Sequence, residues 1–271
     1  MSTESTLNLG VYVKEVLQDE LERDDKFLEP VDLSALLQEA DQKEKPRANI
    51  LGYPSYPLHR EIANMLQLWM ENKRCPIMDM PVYDLLDERA YVEFRAVSFA
   101  TITPMLTGLL TLWKLWVKEE IKFRIREIMV KLGKRGLLDL LGIRNTVGTQ
   151  HMWPTSRSSL ERSFREQNSP NSQLSVGARA LAKHHHRDKS LSWWGTCTGN
   201  EAAKNEHALE NMNKILDNAT WINIHWLPHD VYVIEARQEE GYGVRWTADG
   251  RSFRGFLEPQ MIDGHEVGWR H

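Results

Sequence analysis

Cysteine is scarce in this chain: Cys75 and Cys197 are the only two in 271 residues, far apart and outside any C-x-x-C pair. That excludes a disulfide scaffold and a zinc finger, and it points to a reducing compartment. A secretory leader is missing as well, because MSTESTLNLGVYVKEV has no basic start followed by an apolar run. A cytoplasmic location is therefore the expectation. The sequence also holds no dinucleotide fingerprint, nucleophile elbow or zinc-protease motif, and no Gly-Lys-Ser/Thr for a phosphate loop. His186-Arg187-Asp188 opens like a kinase catalytic loop, but Trp193 stands where that loop needs asparagine. A phosphatase pattern starting at Cys197 fails at Ala203, where arginine is required. Neighbouring His184, His185 and His186 point in different directions on a helix or a strand, and no carboxylate stands at a ligand-like spacing. No metal and no cofactor is expected.

What the chain does hold is tryptophan, ten in all, seven of them from Trp153 to Trp269. Such large rings are costly to leave in water, so the C-terminal half should contain a dense aromatic core or a ligand pocket. Charge is segregated rather than absent. Residues 1–111 carry 11 basic and 19 acidic side chains, residues 112–189 carry 16 and 7, and residues 190–271 carry 7 and 12. The basic middle, 112–189, suits an anion, a membrane surface or nucleic acid, although pairing with the acidic flanks inside the fold is the favoured reading.

Hydrophobic spacing gives the elements. Leu9–Leu21, Leu33–Ala40, Leu58–Asn72, Ser158–Glu166, Val176–His185 and Asn200–Leu216 read as helices. The longest apolar pattern runs from Thr103 to Arg135 and reads as one helix, with Thr103 as cap, Pro104 in the first turn and Gly133 and Gly136 near its stop. Its apolar lead-in, Ala96–Trp113, has no charge over 18 residues, just the length at which a membrane span is considered. The five hydroxyl residues and Pro104 favour a buried core helix instead. Tyr91–Phe99 alternates and fits either a strand or a helix. From Thr220 to Pro259 the pattern changes to four consecutive strands, with Asp249-Gly250 and Glu240-Gly241 as turns. The expected fold is α+β: an N-terminal helical bundle over 9–141 built on one long helix, a polar linker over 142–175, and C-terminal helices plus an antiparallel four-strand meander over 176–271.

Two stretches of the last part carry candidate chemistry. Thr196-Cys197-Thr198-Gly199-Asn200 runs directly into a helix, a junction where backbone N–H groups favour anions and a thiol pKa falls. His225 or His229 on the next strand is a base for such a thiol. On the sheet, Arg237 and Arg245 alternate with aromatic residues, which puts guanidinium groups on one face and Trp246 on the other. Glu235 and Glu258 are the one carboxylate pair on neighbouring strands, and with Glu239 and Glu266 they are suited to neutralise those arginines. Arg270, Trp269 and His265 crowd the chain end. The expected site is thus Cys197, Thr198, Asn200, His225, Arg237, Arg245 and Trp246, and the expected function a soluble ligand- or anion-binding protein, with enzymatic activity open. The alternative is an interaction or scaffold protein, peripheral to a membrane, that uses residues 112–189. A small anionic ligand, a protein or an anionic membrane surface are the expected partners. Nucleic acid is disfavoured, because the sheet lies in a net acidic segment.

Overall fold

The computed structural model describes residues 7–40, 44, 46–47, 50–83, 86–185, 193–228 and 230–259. His186-Arg187-Asp188, His229 and the terminal His265, Glu266, Trp269 and Arg270 lie outside the described residues. The fold is α+β, with eight helices and one four-strand antiparallel sheet among the described residues. The chain divides into two compact units, Met1–Ile50 with Pro54–Ser158, and Leu51–Tyr53 with Ser159–His271.

The first unit is helical. Its helices are α1 (Leu9–Leu21), α2 (Pro30–Leu37), α3 (Leu58–Asn72), α4 (Glu88–Leu112) and α5 (Lys118–Leu140). Asn8 caps α1 by accepting from the Val11 N–H at 3.3 Å. The apolar faces of α1, α2 and α3 meet through Val13, Leu17, Leu33, Leu36, Ile62 and Leu66, all buried. Trp69 of α3 packs on Phe99 of α4 with ring centroids 4.6 Å apart, and its indole N–H donates to Thr103 Oγ1 at 3.1 Å.

The helix expected over Thr103–Arg135 is in fact two. The first, α4, starts at Glu88, fifteen residues early, so Tyr91–Phe99 is helical and Pro104 lies inside the helix. Proline is tolerated there because its ring faces solvent and Ala100, whose carbonyl loses the proline's N–H, is exposed as well. The chain then tightens into a 3-10 turn at Trp113–Leu115 and turns extended at Trp116 and Val117 before α5 begins. Gly133, with φ 57° and ψ −174°, leaves the helical conformation, so Lys118–Leu140 is two helical pieces that meet at a kink, close to where Gly133 and Gly136 mark a stop in the sequence.

The expectation of a buried core helix is corrected too. Only Glu88 at its start and a stripe of α4 are buried, the stripe being Arg95, Phe99, Ile102, Leu106 and Leu109, while Phe94, Val97, Leu110 and Leu112 are exposed. The Glu88–Leu115 stretch is long and apolar enough to cross a membrane by length and composition, and 22% of its most apolar window is buried.

The basic charge of α5 is spent largely inside this unit. Lys118 pairs with Glu15 at 2.7 Å, Arg126 with Glu20 at 2.7 Å, Lys134 with Asp32 at 2.7 Å, and Lys122 pairs with Asp19. The acidic faces of α1 and α2 thus neutralise part of the segment that reads as a cationic surface.

The second unit holds α7 (Val176–His185), α8 (Glu201–Asp217) and the meander β1 (Trp221–Leu227), β2 (Val231–Arg237), β3 (Gly243–Thr247) and β4 (Phe253–Leu257), in the order β1-β2-β3-β4. It is preceded by α6 (Arg157–Arg165), most of which belongs to it. The turns sit where Gly241 and Gly250, with φ 90° and 72°, allow the reversal. One face of the sheet is apolar: Ile222, Ile224, Ile234, Ala236, Val244, Trp246 and Phe256 are buried. Helix α7 packs on β4, and α8 on β2 and β3. Phe164 of α6 meets Phe253 and Phe256 edge-on at 4.8 and 5.9 Å. The alternation that makes this face apolar leaves Asn223, His225, Glu235, Arg237, Arg245 and Thr247 on the other.

Candidate active site

The polar face is organised by Glu235. It stands mid-strand in β2, opposite Asn223 of β1 and Arg245 of β3, and is 3% exposed. Both its oxygens are used. Arg237 Nε donates to Oε1 at 2.5 Å, and Arg245 donates to Oε2 through Nε at 2.8 Å and Nη2 at 2.6 Å. These are forked, charge-assisted contacts, the arrangement in which a buried carboxylate is tolerable. Burial pushes the Glu235 pKa up, but the two guanidinium groups pull harder and hold it below its ordinary value. Arg237 is fixed further by donating from Nη1 to the carbonyls of Gly241 and Glu258 at 2.6 and 2.9 Å. Arg245 is the more open of the two, with 24% of its side chain exposed against 12%.

His225 completes the group. Its Nε2 lies 3.5 Å from Glu235 Oε2 and makes no hydrogen bond among the described residues, although it is buried. The Trp221 ring meets the imidazole edge-on at 6.4 Å. Burial lowers the His225 pKa, and the negative Glu235 opposes that shift without cancelling it. At neutral pH the imidazole is therefore uncharged and able to take a proton, beside a carboxylate that is ionised and already bound.

Three of the expected site residues, His225, Arg237 and Arg245, come together on this face. The other four are placed elsewhere. Trp246 points to the opposite face, 1% exposed, and its indole N–H donates to Leu160 O at 3.1 Å, a core contact. Asn200 caps α8 by accepting from the Ala203 N–H at 2.9 Å. Cys197 is half-buried and Thr198 exposed in the loop before that cap, away from the hydrogen bonds and ion pairs of the His225 group. Glu258 does not pair with Glu235; it accepts from or bonds to His184 Nδ1 at 3.0 Å. Among the described residues no cluster of histidine, cysteine and acidic groups is suited to hold a metal. Sequence reasoning treats Glu235 as one acid among several that neutralise arginines, whereas the fold makes it the centre. Asn223, fully buried beside it, is marked in the sequence only by its two-residue spacing from His225.

Residues 164–258 match the family model of the CdiA C-terminal tRNase toxin domain. The match covers about a third of the chain, from the end of α6 through β4. It contains every member of the Glu235 group. No curated protein and no solved structure matches the chain.

The toxin-domain match corrects two expectations. It points to a nuclease toxin rather than to a ligand- or anion-binding protein, and it does not favour a scaffold built on residues 112–189 either. It also implies RNA as a substrate, against the expectation that nucleic acid is disfavoured. That expectation rests on the net charge of a whole segment. Net charge averages the acids of α8 and the turns with the arginines of β2 and β3, while a phosphate meets only the local face.

Proposed function

We propose that the C-terminal unit is a ribonuclease toxin that cleaves tRNA in the cytoplasm, with its reaction centre on the polar face of the meander. The observation that carries this reading is the His225–Glu235–Arg245 constellation, an uncharged imidazole next to a clamped guanidinium, inside the segment that matches a tRNase toxin model.

RNA carries its own nucleophile, the 2′-hydroxyl beside each phosphodiester. Cleavage needs a base for that proton, a proton for the departing 5′-oxygen, and positive charge where the phosphate gains negative charge. In this reading the His225 imidazole takes the 2′-hydroxyl proton. The O2′–P bond forms, the P–O5′ bond breaks, and the 5′-oxygen receives a proton from the imidazolium. The products are a 2′,3′-cyclic phosphate and a 5′-hydroxyl. Arg245, the more exposed guanidinium, contacts the phosphate. Glu235 and Arg237 act as positioning residues, because Glu235 aims Arg245 and Arg237 ties Glu235 to the backbone.

Incubating the protein with tRNA at pH 7 should give discrete fragments whose 3′ ends carry a cyclic phosphate. His225→Ala should slow cleavage about 10²–10⁴-fold, and Arg245→Ala about 10²–10³-fold, with circular dichroism unchanged. Intact tRNA with the wild-type protein, or undiminished cleavage by His225→Ala, would refute the reading.

A further inference from the structure

A second group of arginines lies in the helical unit, outside residues 164–258. The α4 and α5 helices and the segment after α5 enclose a cavity of about 60 Å³, lined by Arg95, Arg135, Arg144, Glu88 and Asp139 with Tyr91 and Ser98. Three guanidinium groups thus face two carboxylates, leaving one positive charge in excess. The carboxylates are already engaged. Glu88 Oε1 accepts from Arg144 Nη1 at 3.0 Å, and its Oε2 from the Tyr83 N–H at 2.9 Å. Asp139 Oδ1 accepts from Arg135 Nη2 at 3.2 Å, and the same Nη2 reaches Ile143 O at 2.6 Å.

What remains is donor capacity with no acceptor. Arg95 is 7% exposed and 3.7 Å from Asp139, and its Nε has no hydrogen-bond partner among the described residues. Arg135 Nε and Nη1 are buried in the same condition. Burying such groups unpaired is costly, and an unbalanced charge more so. The cavity holds several times the roughly 10–15 Å³ that one water occupies, so it has room for a small polyatomic guest.

We propose that this cavity is a binding site for a small oxyanion, a carboxylate or phosphate group held by Arg95 Nε and by Nε and Nη1 of Arg135. The guest balances the excess charge and supplies oxygen acceptors to all three idle donors. Burial pushes the Arg135 and Arg144 pKa values down, a cost to their charged forms that a bound anion relieves. The hydroxyls of Ser98 and Tyr91 are further donors at the cavity wall. The site is independent of the nuclease reading, since none of its residues lies in the sheet unit.

The test is thermal unfolding and calorimetric titration of the full chain with sodium phosphate and with sodium formate, against sodium chloride at equal ionic strength. A ligand that binds only the folded state raises the melting temperature in a saturable way. At least one oxyanion should do so where chloride does not, and Arg135→Gln should weaken its binding at least tenfold. If Arg135→Gln does not fold, Ser98→Leu, which narrows the cavity from its wall, should remove the saturable shift. Saturation by formate alone identifies a carboxylate guest, and by phosphate alone a phosphate guest. No shift beyond that of chloride with either salt, or an equal affinity in the folded variants, overturns the proposal and leaves the cavity to water.

Discussion

Replacing Glu235 by glutamine tests the sheet face most directly. Glutamine keeps the shape and one acceptor oxygen but removes the charge that balances Arg237 and Arg245. Their side chains are 12% and 24% exposed, and the carboxylate is 3% exposed, so little solvent screening offsets the loss. Breaking a buried ion pair from one side costs about 3–5 kcal/mol, because the partner charges stay behind unpaired. For a unit of this size that corresponds to a fall in Tm on the order of 10–20 °C. Urea unfolding followed by tryptophan fluorescence reads the change, since Trp221, Trp226 and Trp246 lie on β1 and β3. The pH dependence is a second, sharper readout. Glu235 has a folded pKa below its ordinary 4.5, so its contribution is complete above about pH 4.5 and is lost as pH falls through the lower folded value. Glu235→Gln should therefore lose stability above pH 4.5 and show a flatter acid limb below it. A variant within 1 kcal/mol of the wild type, with an unchanged acid limb, would mean that the three side chains do not form one buried unit.

Other outcomes follow from particular residues. Burial lowers the His225 pKa below 6.5, so cleavage that needs the neutral imidazole should rise with pH to a plateau and have its midpoint below 6.5; initial rates from pH 4.5 to 8 check this, and a midpoint above 6.5 contradicts it. Gly177→Ala places a methyl 2.1–2.3 Å from ring atoms of Phe164, an overlap that should cost about 1–3 kcal/mol in urea unfolding. Asn200→Ala removes the side-chain acceptor for the Ala203 N–H and should cost about 1 kcal/mol in the same measurement.

The C-terminal unit was legible in the sequence where local rules dominate. Asp249-Gly250 and Glu240-Gly241 mark two reversals, and strict alternation sets Arg245 and Trp246 on opposite faces, as the register has them. The long helix was misread for a comparable reason. Its break at Trp116–Val117 has no proline or glycine to announce it, while Pro104, which does look like a boundary, lies within α4 on its solvent side. Pattern reading singles out His225 and Arg245 but not their meeting at Glu235. His225, Glu235 and Arg245 sit ten residues apart on three strands, a spacing set by hairpin length rather than by any short motif, and only the pairing of β1, β2 and β3 brings them together.

The three residues Leu51–Tyr53 belong to the C-terminal unit although more than a hundred residues separate them from the rest of it. The Tyr53 N–H donates to Leu216 O at 2.8 Å, one of the carbonyls that the end of α8 leaves open, and the Gly52 N–H to Ala219 O at 2.9 Å, just beyond the helix. Gly52 has φ 93°, and a Cβ there would meet Asp217 O at 2.9 Å, which makes the strip hard to substitute. A fragment beginning at Ser159 would thus start life with two solvent-facing acceptors in place of those bonds, just where α8 hands over to β1. Cutting the chain once, at any point between the units, does not release the C-terminal unit whole. Its completeness depends on a piece of polypeptide that is made long before the rest of it.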